Sequence, residues 1–191
     1  MPAAKRISKE AIIDAAEAVL RTGGFEAINA RSVAKALGCS TQPIYLTFRN
    51  MEELKSALTQ RAIEQHTRRV RASLRAHEGC DSRYSSYGMG FVQFAAQEKQ
   101  LFRWLYLEDN QPGRHQEDVL EPEIIRTVMD EFGYDEVTAR AFHRDMTYYS
   151  YGLAILANTG HLALTETELR EAFRREFRAL AAYYGCLLYT S

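Results

Sequence analysis

Residues 38–48 read GCSTQPIYLTF, and this stretch decides how the rest of the sequence is interpreted. A glycine and a short polar segment are followed by apolar residues at helical spacing, which are Ile44, Tyr45 and Phe48. Pro43 is tolerated in the first turn of a helix, where its missing N–H has no intrahelical acceptor. The stretch therefore predicts a short helix with Ser40 as its expected N-cap.

Two more helices are predicted immediately before this one. The first begins after Ser8, carries an apolar stripe, and stops at Gly23 and Gly24. The second is capped by Asn29 and ends at Gly38. Two short helices joined by a brief turn and packed on a longer first helix form a helix-turn-helix unit, which is the fold predicted for this part of the chain.

The third helix is predicted to have one packed face and one outer face. Ile44, Tyr45 and Phe48 are expected to hold it against the first two helices. The outer face carries Thr41, Gln42, Leu46 and Thr47. Hydroxyl and amide groups at the start of a helix suit the base edges of a DNA major groove. The residue pattern alone leaves a second possibility open, which is a helical hairpin with a purely structural role.

The charge distribution favours DNA binding. Residues 1–75 contain 13 Lys and Arg against 7 Asp and Glu, whereas residues 76–191 contain 11 against 18. A basic first part beside an acidic remainder indicates that the first part binds a polyanion. The cations expected to contact DNA phosphates are Lys5, Arg6, Lys9, Arg31, Arg49 and Lys55.

The remainder of the chain also has helical spacing, so the predicted fold class is all-α with about nine helices. Asn50 and Glu53 stand at capping-box spacing at the start of a fourth helix. We place the helix-turn-helix domain at residues 1–52 and a larger ligand-binding and dimerisation domain at residues 53–186. The helix at residues 53–75 is expected to link the two domains.

Aromatic residues concentrate at the start of the second part, because residues 84–107 hold seven of the 21 in the chain. One interpretation is an aromatic-lined ligand cavity with a few hydroxyl and imidazole groups. The other is an ordinary core, since large aromatic side chains dominate cores in any case. The residues assigned to the ligand site are Tyr87, Phe91, Phe94, Trp104, His143 and Tyr148.

The last two helices carry apolar stripes with steps of four and three residues, as at a helix–helix seam. Other apolar residues lie off the stripes, including Val137, Tyr148, Ile155 and Tyr183, so each helix needs cover on two sides. We predict that a second copy of the chain supplies one cover, in a four-helix interface about a two-fold axis. A central core helix in one chain is the alternative. The predicted interface residues are Phe142, Met146, Tyr149, Leu153, Leu156, Phe173, Phe177 and Leu180.

The run from Ile12 to Leu54 resembles the DNA-binding domain of TetR-family transcriptional regulators. The family pattern has an apolar first helix, a glycine-bounded turn, an alanine-containing second helix, a second glycine, and then Tyr, Phe, an acidic pair and Leu. The matching residues are Ala15-Ala16, Gly24-Phe25, Val33-Ala34, Gly38-Cys39-Ser40, Tyr45, Phe48, Glu52-Glu53 and Leu54.

This resemblance implies a homodimer, most often a repressor, that releases a palindromic operator when a small apolar or aromatic molecule enters the C-terminal domain. It implies that Tyr45 contacts a phosphate and that Arg31 and Ser32 approach the backbone or a base edge. The family's usual lysine before the acidic pair is Met51 here, so Arg49 or Lys55 is expected to replace its phosphate contact. The full predicted DNA-binding set is Arg31, Ser32, Thr41, Gln42, Pro43, Tyr45, Leu46, Thr47, Arg49 and Lys55.

Other classes of function are not indicated by the sequence. It has no phosphate-binding or dinucleotide glycine motif and no nucleophile elbow, and its five histidines show no metal-ligand spacing. We therefore expect no cofactor, no metal and no catalysis. The lack of a long apolar run or a secretory signal leads us to expect a cytoplasmic protein. The rival hypothesis is a helical carrier or enzyme that uses the aromatic pocket and does not bind DNA.

Overall fold

The computed structural model describes residues 7–76, 82–107 and 120–185, and over those residues it consists of helices and turns without a β-strand. The nine α-helices in these ranges are α1 (Lys9–Gly23), α2 (Ala30–Leu37), α3 (Gln42–Thr47), α4 (Met51–Ala76), α5 (Arg83–Gln97), α6 (Lys99–Phe102), α7 (Glu121–Phe132), α8 (Glu136–Thr159) and α9 (Glu166–Tyr183). A 3₁₀ turn at Phe25–Ala27 follows α1, and a π-helical turn at Arg103–Leu107 continues α6. The predicted all-α class is confirmed.

Side-chain caps define several of the helix starts. The Ser8 hydroxyl accepts a hydrogen bond from a backbone N–H in the first turn of α1. Asn29 and Ser32 form a reciprocal capping box on α2, and Thr165 and Glu168 form another on α9. These helix starts are therefore set by capping residues that can be identified in the sequence.

The start of α3 differs from the prediction. α3 begins at Gln42, and Thr41 before it already has helical backbone angles (φ −73°, ψ −14°) without a side-chain cap. Ser40 is therefore not the N-cap. Pro43 explains why a cap is dispensable, because it removes one of the N–H groups that a cap would have to satisfy.

Contacts between residues divide the chain into two units. Of the described residues, the first unit contains 7–65 and 98–107. The second contains 66–76, 82–97 and 120–185. The division falls inside α4, between Gln65 and His66. The domain boundary at residues 52–53 stays a prediction.

The core of the first unit combines α1–α4 with a segment that is remote in sequence. Its large buried side chains are Ile12, Leu20, Val33, Ile44, Phe48, Leu54, Leu58, Leu101, Phe102 and Trp104. The last three come from residues 99–107, which the sequence analysis assigned to the C-terminal domain. The helix-turn-helix is therefore completed by α6 and the turn that follows it.

The second unit packs α5, α7, α8 and α9 around an aromatic core. The Phe142 ring lies 5.9 Å from Phe132 and 5.3 Å from Phe177, measured between ring centroids. α5 approaches α9 closely at Gly88, where an added Cβ would lie 2.5 Å from the Phe173 ring. This contact requires glycine, because the Phe173 ring fills the space that a side chain would occupy.

Candidate nucleic-acid interface

Two buried side chains fix α3 to the rest of the first unit. Ile44 and Phe48 are each 1% exposed, and the Lys9 ammonium lies 5.4 Å from the centre of the Phe48 ring. Tyr45 is 55% exposed, so its predicted packing role is wrong. The reason is helix geometry, because Tyr45 lies about 100° around the axis from Ile44, whereas Phe48 lies only about 40° from it.

Backbone geometry sets the turn between α2 and α3. Gly38 adopts a left-handed conformation (φ 68°), which glycine reaches without steric cost. The Cys39 N–H donates to the Ala34 carbonyl at 3.0 Å and closes the end of α2. The turn is thus held by α2 itself, and α3 leaves it in a defined direction.

We call Thr41, Gln42, Leu46 and Thr47 the reading face of α3. Gln42 is exposed and Leu46 is 79% exposed, whereas Thr41 and Thr47 are half-buried. The Thr47 hydroxyl donates to the Pro43 carbonyl at 2.9 Å, so its proton is used within the helix. The reading face therefore offers one free amide, one large apolar side chain and hydroxyl oxygens that can still accept a hydrogen bond.

The cations around the reading face are not equally available. Arg31, Lys35 and Arg49 are exposed, and their charged groups form no ion pair within the described residues. The Lys55 ammonium lies 3.4 Å from a Glu52 carboxylate oxygen and 4.3 Å from the centre of the Phe25 ring. Of the two residues expected to replace the missing family lysine, Arg49 is available for a phosphate, whereas Lys55 is engaged inside the unit.

Two further predicted DNA contacts are also constrained. The Ser32 hydroxyl donates to the Ala27 carbonyl at 2.6 Å and accepts from the Asn29 N–H at 3.1 Å, so it serves the cap of α2. Pro43 is half-buried and has no N–H to offer. Lys5 and Arg6 lie outside the described residues.

Residues 98–107 pack against α1, α4 and the turn after α1 within the first unit. The buried Trp104 indole N–H donates to the Thr59 hydroxyl on α4 at 3.0 Å. Its ring meets Phe25 edge-on at a centroid distance of 4.2 Å. Glu98 accepts two hydrogen bonds from the Arg21 guanidinium, at 3.0 and 3.3 Å. These contacts fix the turn after α1 and the first half of α4 to each other.

The predicted ligand residues do not form one group. Tyr87, Phe91 and His143 lie in the second unit, where the Tyr87 and His143 rings are 6.1 Å apart. The buried Phe94 is also in this unit, whereas Trp104 belongs to the packed core of the first unit. Tyr148 is 68% exposed, so it lines no enclosed site. Trp104 and Tyr148 are therefore withdrawn from the ligand set.

A buried tyrosine, Tyr84, contacts one of the predicted ligand residues. Its hydroxyl oxygen lies 2.8 Å from His143 Nδ1. Complete burial raises the pKa of the Tyr84 phenol, so the hydroxyl stays protonated. Tyr84 belongs to the aromatic run of residues 84–107, and the structure places it in the core of the second unit.

A separate open groove of about 320 Å³ lies between α8, α9 and the segment that joins them. Its lining includes the apolar residues Tyr149, Leu153 and Leu164 and the charged residues Glu171 and Arg175. None of the predicted ligand residues lines this groove.

The structure corrects the predicted dimer interface. Phe142, Met146, Phe173 and Phe177 are buried inside a single chain, while Tyr149, Leu153 and Leu180 are half-buried. The four-and-three spacing therefore marks the packing of α8 and α9 within one chain. The apolar side chains left exposed on these helices are Val137, Tyr148, Ile155, Leu156 and Tyr183, which we call the α8–α9 face.

Two further observations concern metals and membranes. In the described parts of the chain, no three His, Cys, Asp or Glu side chains form a group that could hold a metal ion. No helix among those residues has the length and apolar character needed to cross a bilayer.

An anchored helix that exposes an amide and a leucine, in a unit with available cations, is typical of a helix-turn-helix DNA-binding domain. Residues 12–58 match the family model for bacterial regulatory proteins of the tetR family. Residues 12–58 thus form a DNA-binding domain of the tetR-family type.

Several solved structures share the fold of this chain. A structure described as a transcriptional regulator from Pseudomonas aeruginosa PAO1 has a TM-score of 0.63 at 17% identity, covering 92% of this chain and 88% of that chain. A TetR-family regulator from Vibrio parahaemolyticus has a TM-score of 0.60 at 15% identity, with coverages of 90% and 97%. The fatty acid degradation regulator FadR from Bacillus halodurans has a TM-score of 0.52 at 18% identity, with coverages of 95% and 96%. A search of curated proteins finds no match.

Proposed function

We propose that this chain binds a palindromic operator as a homodimer and represses transcription until a small apolar or aromatic effector releases it. The effector would bind better to the dimer conformation in which the two α3 helices no longer fit successive major grooves. Occupancy of the operator would then fall because the population shifts away from the DNA-binding conformation.

The observation that supports this proposal best is the difference between the two sides of α3. Ile44 and Phe48 are buried, whereas Gln42 and Leu46 point to solvent. An amide can bond bidentately to a base edge, and an apolar side chain can contact a thymine methyl. The exposed Arg49 at the end of α3 offers a charge for the DNA backbone.

The α8–α9 face supports the homodimer. Val137, Tyr148 and Ile155 are separated by 11 and 7 residues, so they lie within about 20° of one line along α8. Val137 and Tyr148 are 79% and 68% exposed. A second copy related by a two-fold axis would cover this line with the same line on its own α8.

Selection of bound sequences from random DNA tests the proposal. We expect a palindrome whose half-site centres are about 10 base pairs apart or a multiple of that spacing. The Gln42→Ala variant should lose discrimination at one position per half-site, by about 1–3 kcal/mol, because the substitution removes the amide that bonds to a base edge. Arg49→Ala should instead weaken binding to all sequences alike and reduce the salt slope by about 1 per protomer.

The matched control is Arg126→Ala, which removes an exposed arginine from α7 in the second unit and should change neither quantity. Enrichment of no sequence would contradict the proposal. If Gln42→Ala and Arg49→Ala behaved alike, the assignment of reading and positioning residues on α3 would be wrong.

Effector release is tested with a panel of small aromatic compounds added to the operator complex. For a compound that displaces the DNA, Tyr87→Ala should raise the concentration needed at least about tenfold, because burying an aromatic ring contributes about 1.5–3 kcal/mol. Operator affinity without the compound should stay unchanged. Gln97→Ala, an exposed change on the same helix, is the control. Equal responses of the two variants would exclude Tyr87 from the effector site.

A further inference from the structure

Leu46 is a large apolar side chain that its own unit leaves mostly uncovered. It is 79% exposed and lies on a six-residue helix whose neighbours Ile44 and Phe48 are buried. The angle between Ile44 and Leu46 is about 200° around the helix axis, so Leu46 points away from the core. An isoleucine or leucine at such a position contributes nothing to the packing of its own unit.

The side chains near Leu46 indicate which kind of partner could cover it. Gln42 stands four residues before it on the same side of α3, and the Thr47 hydroxyl proton is already donated to the Pro43 carbonyl. Exposed cations, Arg31 and Arg49, belong to the same unit. An apolar side chain next to an amide, in a unit that carries exposed cations, suits the major groove of DNA, where the thymine C5-methyl is the apolar group.

We propose that Leu46 is a specificity-determining residue that contacts the C5-methyl of a thymine in each operator half-site. This inference rests on the proposed DNA-binding function and adds the identity of one base to it. Gln42 and Leu46 are about 6 Å apart along the helix axis. Base pairs are stacked about 3.4 Å apart, so the thymine lies one or two base pairs from the base that Gln42 contacts.

The test replaces each thymine of the selected operator, one at a time, with deoxyuridine, which lacks only the methyl group. At the thymine covered by Leu46, the wild-type chain should bind the uracil operator about fourfold more weakly per half-site, as expected for one buried methyl group. The Leu46→Ala variant should bind the thymine and uracil operators equally at this position. The sensitive thymine should lie within two base pairs of the position where Gln42→Ala loses discrimination.

Two controls test whether the methyl effect is specific to the Leu46 side chain. Arg126→Ala changes an exposed residue of the second unit and should retain the full thymine-to-uracil effect. Leu46→Ala should keep the thermal midpoint of the wild type, because the side chain it truncates is exposed.

Several results would overturn the inference while leaving DNA binding intact. These are a half-site without thymine, a wild-type chain insensitive to every uracil substitution, and a methyl effect that persists in Leu46→Ala. A Leu46→Ala variant that binds DNA normally but has an altered dimer dissociation constant would show that a second copy covers Leu46 instead. If the wild-type chain selected no sequence at all, the proposed function itself would fail.

Discussion

Trp104→Ala should destabilise the first unit by about 3–5 kcal/mol, the range measured for truncation of a large buried aromatic side chain. Trp104 is fully buried, contacts Phe25, and donates its indole N–H to Thr59. The loss is large compared with the total stability of a typical domain, about 5–15 kcal/mol. Urea unfolding followed by circular dichroism measures it, and operator binding should weaken because less of the first unit is folded.

Thr59→Val is the matched control for this prediction. It keeps the shape of the side chain but leaves the indole N–H without its acceptor, which should cost about 1–3 kcal/mol. Because Trp104 is the only tryptophan in the chain, its fluorescence reports unfolding of the first unit in the wild type and in Thr59→Val. A Trp104→Ala variant less than about 1 kcal/mol below the wild type would contradict the assignment of residues 98–107 to this unit.

Ile155→Glu should dissociate the proposed homodimer. Each two-fold related copy would place a carboxylate in an apolar interface, and an unpaired buried charge costs several kcal/mol. The dimer dissociation constant should rise at least about a thousandfold, since every 1.4 kcal/mol is a factor of ten. Sedimentation equilibrium measures this change, and operator affinity should fall because a monomer presents one α3 instead of two.

Ala96→Glu is the control, because it introduces the same charge at an exposed position on α5, outside the α8–α9 face. It should leave both the dimer and operator binding unchanged. A wild-type chain that sediments as a monomer at micromolar concentration, or an Ile155→Glu variant that dimerises normally, would remove the α8–α9 face from the proposal.

The helices α1 and α2 could be predicted from the sequence because their ends are set by local chemistry. Asn29 caps α2 in a reciprocal box with Ser32, and Gly38 ends α2 in a left-handed conformation. The contribution of Trp104 could not be predicted in this way. It depends on a contact with Thr59, which is 45 residues away, and no local pattern encodes such a pairing.

The faces of the helices were harder to predict than their ends. Tyr45 and Ile44 are adjacent and both largely apolar, but only Ile44 is buried. On α8, the seam spacing that includes Phe142 and Met146 predicts either an interface between chains or a core helix within one chain, and both residues are buried within one chain. A stripe of apolar residues shows that a helix is covered, but composition alone does not show which molecule covers it.

Which basic side chains are available for a DNA phosphate could be determined only from the structure. Arg49 and Lys55 are equivalent in the sequence as possible phosphate contacts. The Lys55 ammonium is held by Glu52 and the Phe25 ring, whereas the Arg49 guanidinium has no ion-pair partner among the described residues. Such differences arise from tertiary contacts, so they cannot be derived from spacing.

A structure of the chain bound to its selected operator is the most direct measurement of the central claim, which is that the reading face of α3 contacts base pairs. We predict that the Gln42 amide lies within about 3 Å of a base edge in the major groove and that a second copy does the same about 34–36 Å away. A complex in which α3 stands clear of the groove, or in which one copy binds alone, would contradict the account.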